Sequence, residues 1–474
     1  MPRLRKTPIP GTRDTYTGVD FNLGFHVRHY DLALEYRVEP NHLSGTAQLS
    51  LVSYEALPQL TLDLSASLRV SKVRAVGSAG TAISVDRFAQ SRNKLRVSFT
   101  EPVPVDQEFS LAITYSGTPR PIRTRWGTLG WEELTNGSLV ASQPCGAPSW
   151  FPCDDTPDEK ALYDIRISTD NPFTVIANGQ LVDKRRRGSR TNWHYRVLNP
   201  MATYLATVQV GEYQRLSLGS VPAAGGAVSV DAWYPHAKRQ PVSVDFADQA
   251  RMLQLYSELF GPYPFPGYQV VITEDPLEIP LEAQGLSIFG TNHADGQHSW
   301  ERLIAHELSH QWFGNSLGLA QWEDIWLNEG FACYCEWLWF EHAHGIPAQE
   351  NARRHYDILR RLPSDITVGS PGPTLMFDDR VYKRGALTVH ALRCLLGDTA
   401  FFRTVQRYVT AGTHSVVEPI DLRNEVLRTC HEEGIDPAEF EALWRAWLLE
   451  TALPPLPKPV AKPVSVDSPD GPAA

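Results

Sequence analysis

The chain has 474 residues, 21% charged and 42% apolar, with 44 basic against 54 acidic side chains for a formal charge of −10. That length exceeds what one hydrophobic core usually organises, so two or more domains are expected, and the composition argues against long disorder. The acidic balance gives no footing for a nucleic-acid partner.

The stretch Met1 to Gly18 is basic but lacks the apolar run of a signal peptide. No later segment reaches the roughly 18 consecutive apolar residues that would span a membrane, so no membrane partner is expected. Cys145, Cys153, Cys333, Cys335, Cys394 and Cys430 lack the density and spacing of a secreted disulfide scaffold. They fit a reducing, cytoplasmic setting. Cys333 and Cys335, two apart on a helix, point to different faces and read as packed thiols.

From about Phe25 to Val210, apolar and polar residues alternate in short runs broken by turn residues. Tyr30, Leu32, Leu34, Tyr36 and Val38 share one face, as do Leu95, Val97 and Phe99, and Phe109, Leu111, Ile113 and Tyr115. A period of two means half-buried strands. The spacing predicts an N-terminal antiparallel β-sandwich-like domain over residues 1–220. The run from Leu218 to Gly226, rich in Gly, Ser, Ala and Pro, predicts a hairpin turn near its boundary.

Helical spacing follows. Met252, Leu253, Tyr256, Leu259 and Phe260 form one face, ended by Gly261-Pro262, and a strand is predicted over Tyr268 to Thr273. Helices are predicted over Trp300 to Asn315, Trp326 to His342, Val381 to Leu396 and Pro437 to Leu449. The chain is thus an α+β multidomain protein whose second domain, residues 221–455, is mixed α/β. The tail over 456–474, with its repeated Pro and small residues, has nothing to bury and reads as disordered.

The chemistry sits in His306-Glu307-Leu308-Ser309-His310. Residues four apart on a helix lie one above the other, so His306 and His310 can present two imidazole nitrogens to one zinc ion. A catalytic zinc uses three protein ligands and keeps a fourth position for water. Glu329, with eighteen residues between it and His310 at the start of another helix, supplies the third. Glu307 cannot ligate the same ion from its rotation, but it can reach the metal-activated water and suits a general base. One zinc per chain is expected.

This pattern resembles the aminopeptidase N type of gluzincin metallopeptidase, defined by HExxH, eighteen residues and a glutamate. Trp150-Phe151-Pro152-Cys153-Asp154-Asp155-Thr156-Pro157 with Lys160, and Pro200-Met201-Ala202-Thr203-Tyr204, are similar to signatures of that family's sandwich domain. The resemblance implies a thermolysin-like catalytic domain acting on peptides with a free N-terminus. Where the family binds the substrate α-amine on an edge strand, this chain reads Pro280-Leu281-Glu282-Ala283-Gln284-Gly285-Leu286, which departs at most positions but keeps Glu282. The second amine contact falls on Gln143. Tyr382 matches the family's donor to the tetrahedral intermediate, and Glu336, seven residues after Glu329, matches acids that hold a zinc-bound imidazole. The chain ends before the family's C-terminal helical domain could form, which implies the short form and an open cleft. Relatives that hydrolyse epoxides, and others that have lost the metal, are the rival readings. The epoxide reading needs further substrate residues that are not identified in this sequence, and the intact ligand set with Glu307 and Tyr382 argues against a chain that has lost its metal.

Overall fold

The computed structural model describes residues 11–80, 82–223 and 226–458; the expected tail lies outside the described residues from 459 onward. Alternation becomes burial as predicted. In the strand Phe25–Arg37, Tyr30, Leu32, Leu34 and Tyr36 are buried, and so are Leu111, Ile113 and Tyr115 in Glu108–Gly117. These strands belong to an eight-stranded sheet, which shares one core with a three-stranded and a five-stranded sheet. Trp131, Trp150, Phe151 and Tyr163 fill that core.

One pairing departs from the antiparallel expectation. Phe25–Arg37 is antiparallel to His42–Ser53 on one edge but parallel to Lys160–Asp170 on the other. The first partner arrives by a tight turn, which forces reversal. The second arrives from far along the chain, so its direction is unconstrained by a turn.

A separate five-stranded sheet begins the catalytic half, in the order Tyr213–Ala223, Gly226–Pro235, Gly267–Ile272, Leu286–Phe289, Leu281–Ala283. Leu218 to Ala223, expected as turn, are strand paired with Gly226–Pro235, and residues 224 and 225 between them lie outside the described residues. Residue 220 therefore falls within a strand of this sheet.

The helices are α1 (Arg239–Asp245), α2 (Gln249–Phe260), α3 (Glu301–Ser309), α4 (Trp326–His344), α5 (Ala348–Leu359), α6 (Asp379–Leu396), α7 (Asp398–Gly412), α8 (Pro419–Glu433) and α9 (Pro437–Trp444). α3 stops well before the predicted Asn315. Gly314, at φ +123°, turns the chain there, and the Asn315 N–H closes the turn on the His310 carbonyl at 3.0 Å. α9 ends early because its last residues, Arg445–Leu449, form a π-helical turn.

Two contacts fix the frame around the site. α4 and α6 cross backbone to backbone at Gly330 and Gly385, where a Cβ on Gly330 would lie 2.8 Å from the Gly385 carbonyl carbon. From the N-terminal domain, the half-buried Lys160 donates to the carbonyls of Asn315, Ser316 and Ser415, each at 2.9 Å. Among the described residues no helix is long and apolar enough to cross a membrane.

Candidate metal centre and active site

α3 carries His306, and His310 caps its C-terminal end one turn on, their rings 4.8 Å from centre to centre. α4 brings Glu329 across from them. Glu329 Oε2 lies 3.3 Å from His306 Nε2 and 3.5 Å from His310 Nε2. All three side chains are buried. Each imidazole is oriented from behind: His306 Nδ1 is 2.8 Å from Glu336 Oε1, and His310 Nδ1 is 3.0 Å from the Phe313 carbonyl. With Nδ1 donating to these acceptors, both Nε2 lone pairs point at one place. Two imidazole nitrogens and a carboxylate oxygen within 4.8 Å of one another are the donor set zinc takes in catalytic sites.

The carboxylates differ because their surroundings differ. Burial would raise Glu329, but the adjacent His310 and His306 hold it at about 2, so it stays ionised. Glu336 is likewise held at about 2 against burial by Lys383, His306 and Arg302. Burial pushes Glu307 up to about 7, with the two histidines pulling it back only in part. Its Oε2 is buried without a hydrogen-bond partner among the described residues. Glu282 is raised by burial too, partly offset by His310.

Glu282 lies on the sheet's edge strand Leu281–Ala283, paired opposite Ser287. It groups with Glu307 and His310 within 4.8 Å. Gln143, from the N-terminal domain, donates to Glu282 Oε1 at 2.6 Å. The Tyr382 ring, on the first turn of α6, stacks beside His306 at 6.3 Å and 14°. Burial, with Glu329 and Glu282 nearby, raises its hydroxyl well above the usual range, so it remains a donor. All eight residues singled out in the sequence therefore surround one centre.

Other residues of the site escaped the sequence. Gln311 and Asn315 both donate to the Ala283 carbonyl, at 3.1 and 3.0 Å, and tie the edge strand to the end of α3. Arg302 donates to Glu336 at 2.9 Å from one turn before His306. Its spacing of four from a ligand was the available signal. Cys333 is a packed thiol as expected, yet its sulfur lies 3.1 Å from Lys383 Nζ and 3.5 Å from Glu336.

Residues 244–447 match the peptidase family M1 domain and residues 26–205 the peptidase M1 N-terminal domain. The chain is 26% identical to leucine aminopeptidase 2 of Coccidioides immitis (strain RS), over 95% of this chain and 75% of that one. It is 25% identical to endoplasmic reticulum aminopeptidase 1 of Homo sapiens, over 86% of this chain but only 46% of that longer protein. The crystal structure of an M1 zinc metallopeptidase from Deinococcus radiodurans superposes with a TM-score of 0.83 at 31% identity, covering 94% of this chain and 99% of that one. With both halves matched, and a cluster of two histidines and a glutamate inside the second that could hold the metal, the chain belongs to peptidase family M1 and is a zinc metallo-aminopeptidase of the two-domain form.

Proposed function

We propose that the protein releases the first residue of short peptides, with His306, His310 and Glu329 holding one zinc ion and Glu307 acting as general base. Zinc bound there supplies a Lewis acid for the scissile carbonyl and lowers the pKa of water to about 7. Glu307, buried and raised to about 7, takes the water's proton and returns it to the leaving amine. Tyr382 donates its hydroxyl proton to the carbonyl oxygen as charge builds there. Such a preplaced donor in a site shielded from water is worth far more than in solution. Glu336 and the Phe313 carbonyl keep the two imidazoles oriented.

The observation that carries the N-terminal specificity is the pair Glu282 and Gln143. A buried carboxylate 2.6 Å from an amide nitrogen, beside the metal ligands, is built to receive an ammonium. Gln143 holds one oxygen, and the other takes the substrate amine, which fixes cleavage to the first peptide bond. A variant of the Deinococcus radiodurans relative was crystallised with a Tyr-Ser-Ala substrate, which supports a short peptide here. Six unpaired, buried cysteines support a cytoplasmic setting.

The test is hydrolysis of free and N-acetylated aminoacyl fluorogenic substrates, with and without chelator. Acetylation leaves the buried Glu282 charge facing a neutral group, a cost of several kcal/mol or a loss of ~100-fold or more in kcat/KM. Equal cleavage of both forms would replace the aminopeptidase reading by an open-cleft endopeptidase.

A further inference from the structure

The turn that joins the edge strand Leu281–Ala283 to Leu286–Phe289 is gripped by carboxamides. Gln311, the residue after His310, holds it at two points: its Nε2 donates to the Ala283 carbonyl at 3.1 Å, and its Oε1 accepts from the Gly285 N–H at 2.8 Å. Asn315 adds a second donor to the Ala283 carbonyl at 3.0 Å. From the N-terminal domain, Asn178 donates to the Gln284 carbonyl at 2.9 Å, and the Gln284 side chain donates to the Asn199 carbonyl at 3.0 Å. Gln311, Asn315, Asn178 and Gln284 are all buried.

Amides suit this place for two reasons. Each carries donors and an acceptor, so Gln311 meets a carbonyl and an N–H of the turn as a neighbouring strand would. Each is also neutral, whereas a lysine or a carboxylate at the same depth would shift the ionisation of Glu282 and of the metal ligands. The joint therefore fixes position without adding charge. It is short as well, because Glu282 precedes Ala283, Gln311 follows His310, and Glu282 groups with His310 and Glu307 within 4.8 Å.

That spacing decides where a peptide is cut. A substrate's ammonium nitrogen and the carbonyl carbon of its own first residue are separated by a single carbon atom, so the anchor and the metal must keep one short distance. We propose that Gln311, supported by Asn315, is the positioning residue that sets the spacing between Glu282 and the metal and so confines cleavage to the first bond of peptides with a free amine. The inference rests on the aminopeptidase reading. A displacement of about 1 Å at the anchor is enough to cost on the order of 100-fold in rate, which makes a two-point grip on the strand consequential.

The experiment compares kcat/KM for leucyl and N-acetylleucyl fluorogenic amides on the zinc-loaded wild type, Gln311→Met and Asn315→Ala, with zinc content read alongside. Methionine keeps the length and burial of the side chain and removes both bonds. Asn315→Ala removes only one, and it tests the joint should the first variant fold poorly. The ratio of free to acetylated rates is expected to fall ~10-fold or more in Gln311→Met and by a smaller factor in Asn315→Ala, because the free-amine rate drops and the acetylated rate does not. Zinc content stays at the wild-type level. A purely structural role would lower both rates together and leave the ratio intact, and loss of folded enzyme cancels from it. A wild-type ratio of ~100-fold or more that survives in both variants overturns the proposal alone, whereas a wild-type ratio near unity sinks the aminopeptidase reading beneath it.

Discussion

Replacing Glu336 by Gln keeps the side chain's shape and removes its charge. The carboxylate is 1% exposed and accepts from His306 Nδ1 at 2.8 Å and from Arg302 at 2.9 Å. In the variant, the His306 N–H meets a neutral acceptor and the ring loses the anion that favours a free Nε2. Partners of this kind to a zinc-bound histidine are worth about 10- to 100-fold in metal affinity, or ~1.4–2.8 kcal/mol. Lys383 and Arg302 also lose a buried counter-charge, so thermal stability falls as well. Competitive titration against a chromophoric chelator at fixed pH reads the affinity. Turnover at saturating zinc should change little, because Glu336 acts on the ligand and not on the substrate. A variant that binds zinc as tightly as the wild type would show that Glu336 merely balances Arg302, and the argument from the imidazole would fail.

Glu307→Gln should retain zinc by metal analysis yet lose ~100- to 10,000-fold in kcat, and Tyr382→Phe ~100- to 1,000-fold with KM little changed; near-normal turnover in either removes its assigned role. Gly330→Ala forces a methyl to 2.8 Å from the Gly385 carbonyl carbon, so calorimetry should register an overpacking cost of ~1–3 kcal/mol or more, with zinc content falling alongside; an unchanged Tm would mean that α4 and α6 can separate freely. Asp164, buried at the sheet surface, is pulled upward by burial but held below the usual carboxylate range by His194, Arg196 and Arg166. Its stabilising contribution is present above the unfolded value of ~3.9 and lost as pH falls through the lower folded value, so unfolding free energies of Asp164→Asn should depend less on pH below ~4 than those of the wild type. Parallel pH profiles would count against that assignment.

The metal ligands were legible because helix geometry converts a spacing of four into one site, and because the glutamate's spacing is fixed by the second helix. Helix geometry put Glu336 two turns beyond Glu329 on α4, but its role behind an imidazole was reached through likeness to a family. Glu282, Gln143 and Tyr382 were reached only through likeness to a family. No periodicity could have told that Gln143, from a different domain, would come within 2.6 Å of Glu282. The helices α1, α5, α7 and α8 escaped the reading although α5 and α7 are strongly two-faced. The parallel strand pair and the early end of α3 escaped for another reason. Both depend on what the rest of the chain places alongside, and local pattern carries no record of it.

The lysine that crosses between the domains bears on how substrate arrives. Lys160 gives its three hydrogen bonds to carbonyls of the segments just after α3 and just after α7, beneath the metal ligands. Each such bond is worth ~1.5–3 kcal/mol before the cost of burying the ammonium, which pulls Lys160 down to about 7, so a hinge at this joint would exchange three fixed acceptors for water. Swinging the two halves apart is therefore a poor way to admit a peptide. The same joint keeps the wall that carries Gln143 within hydrogen-bonding reach of Glu282.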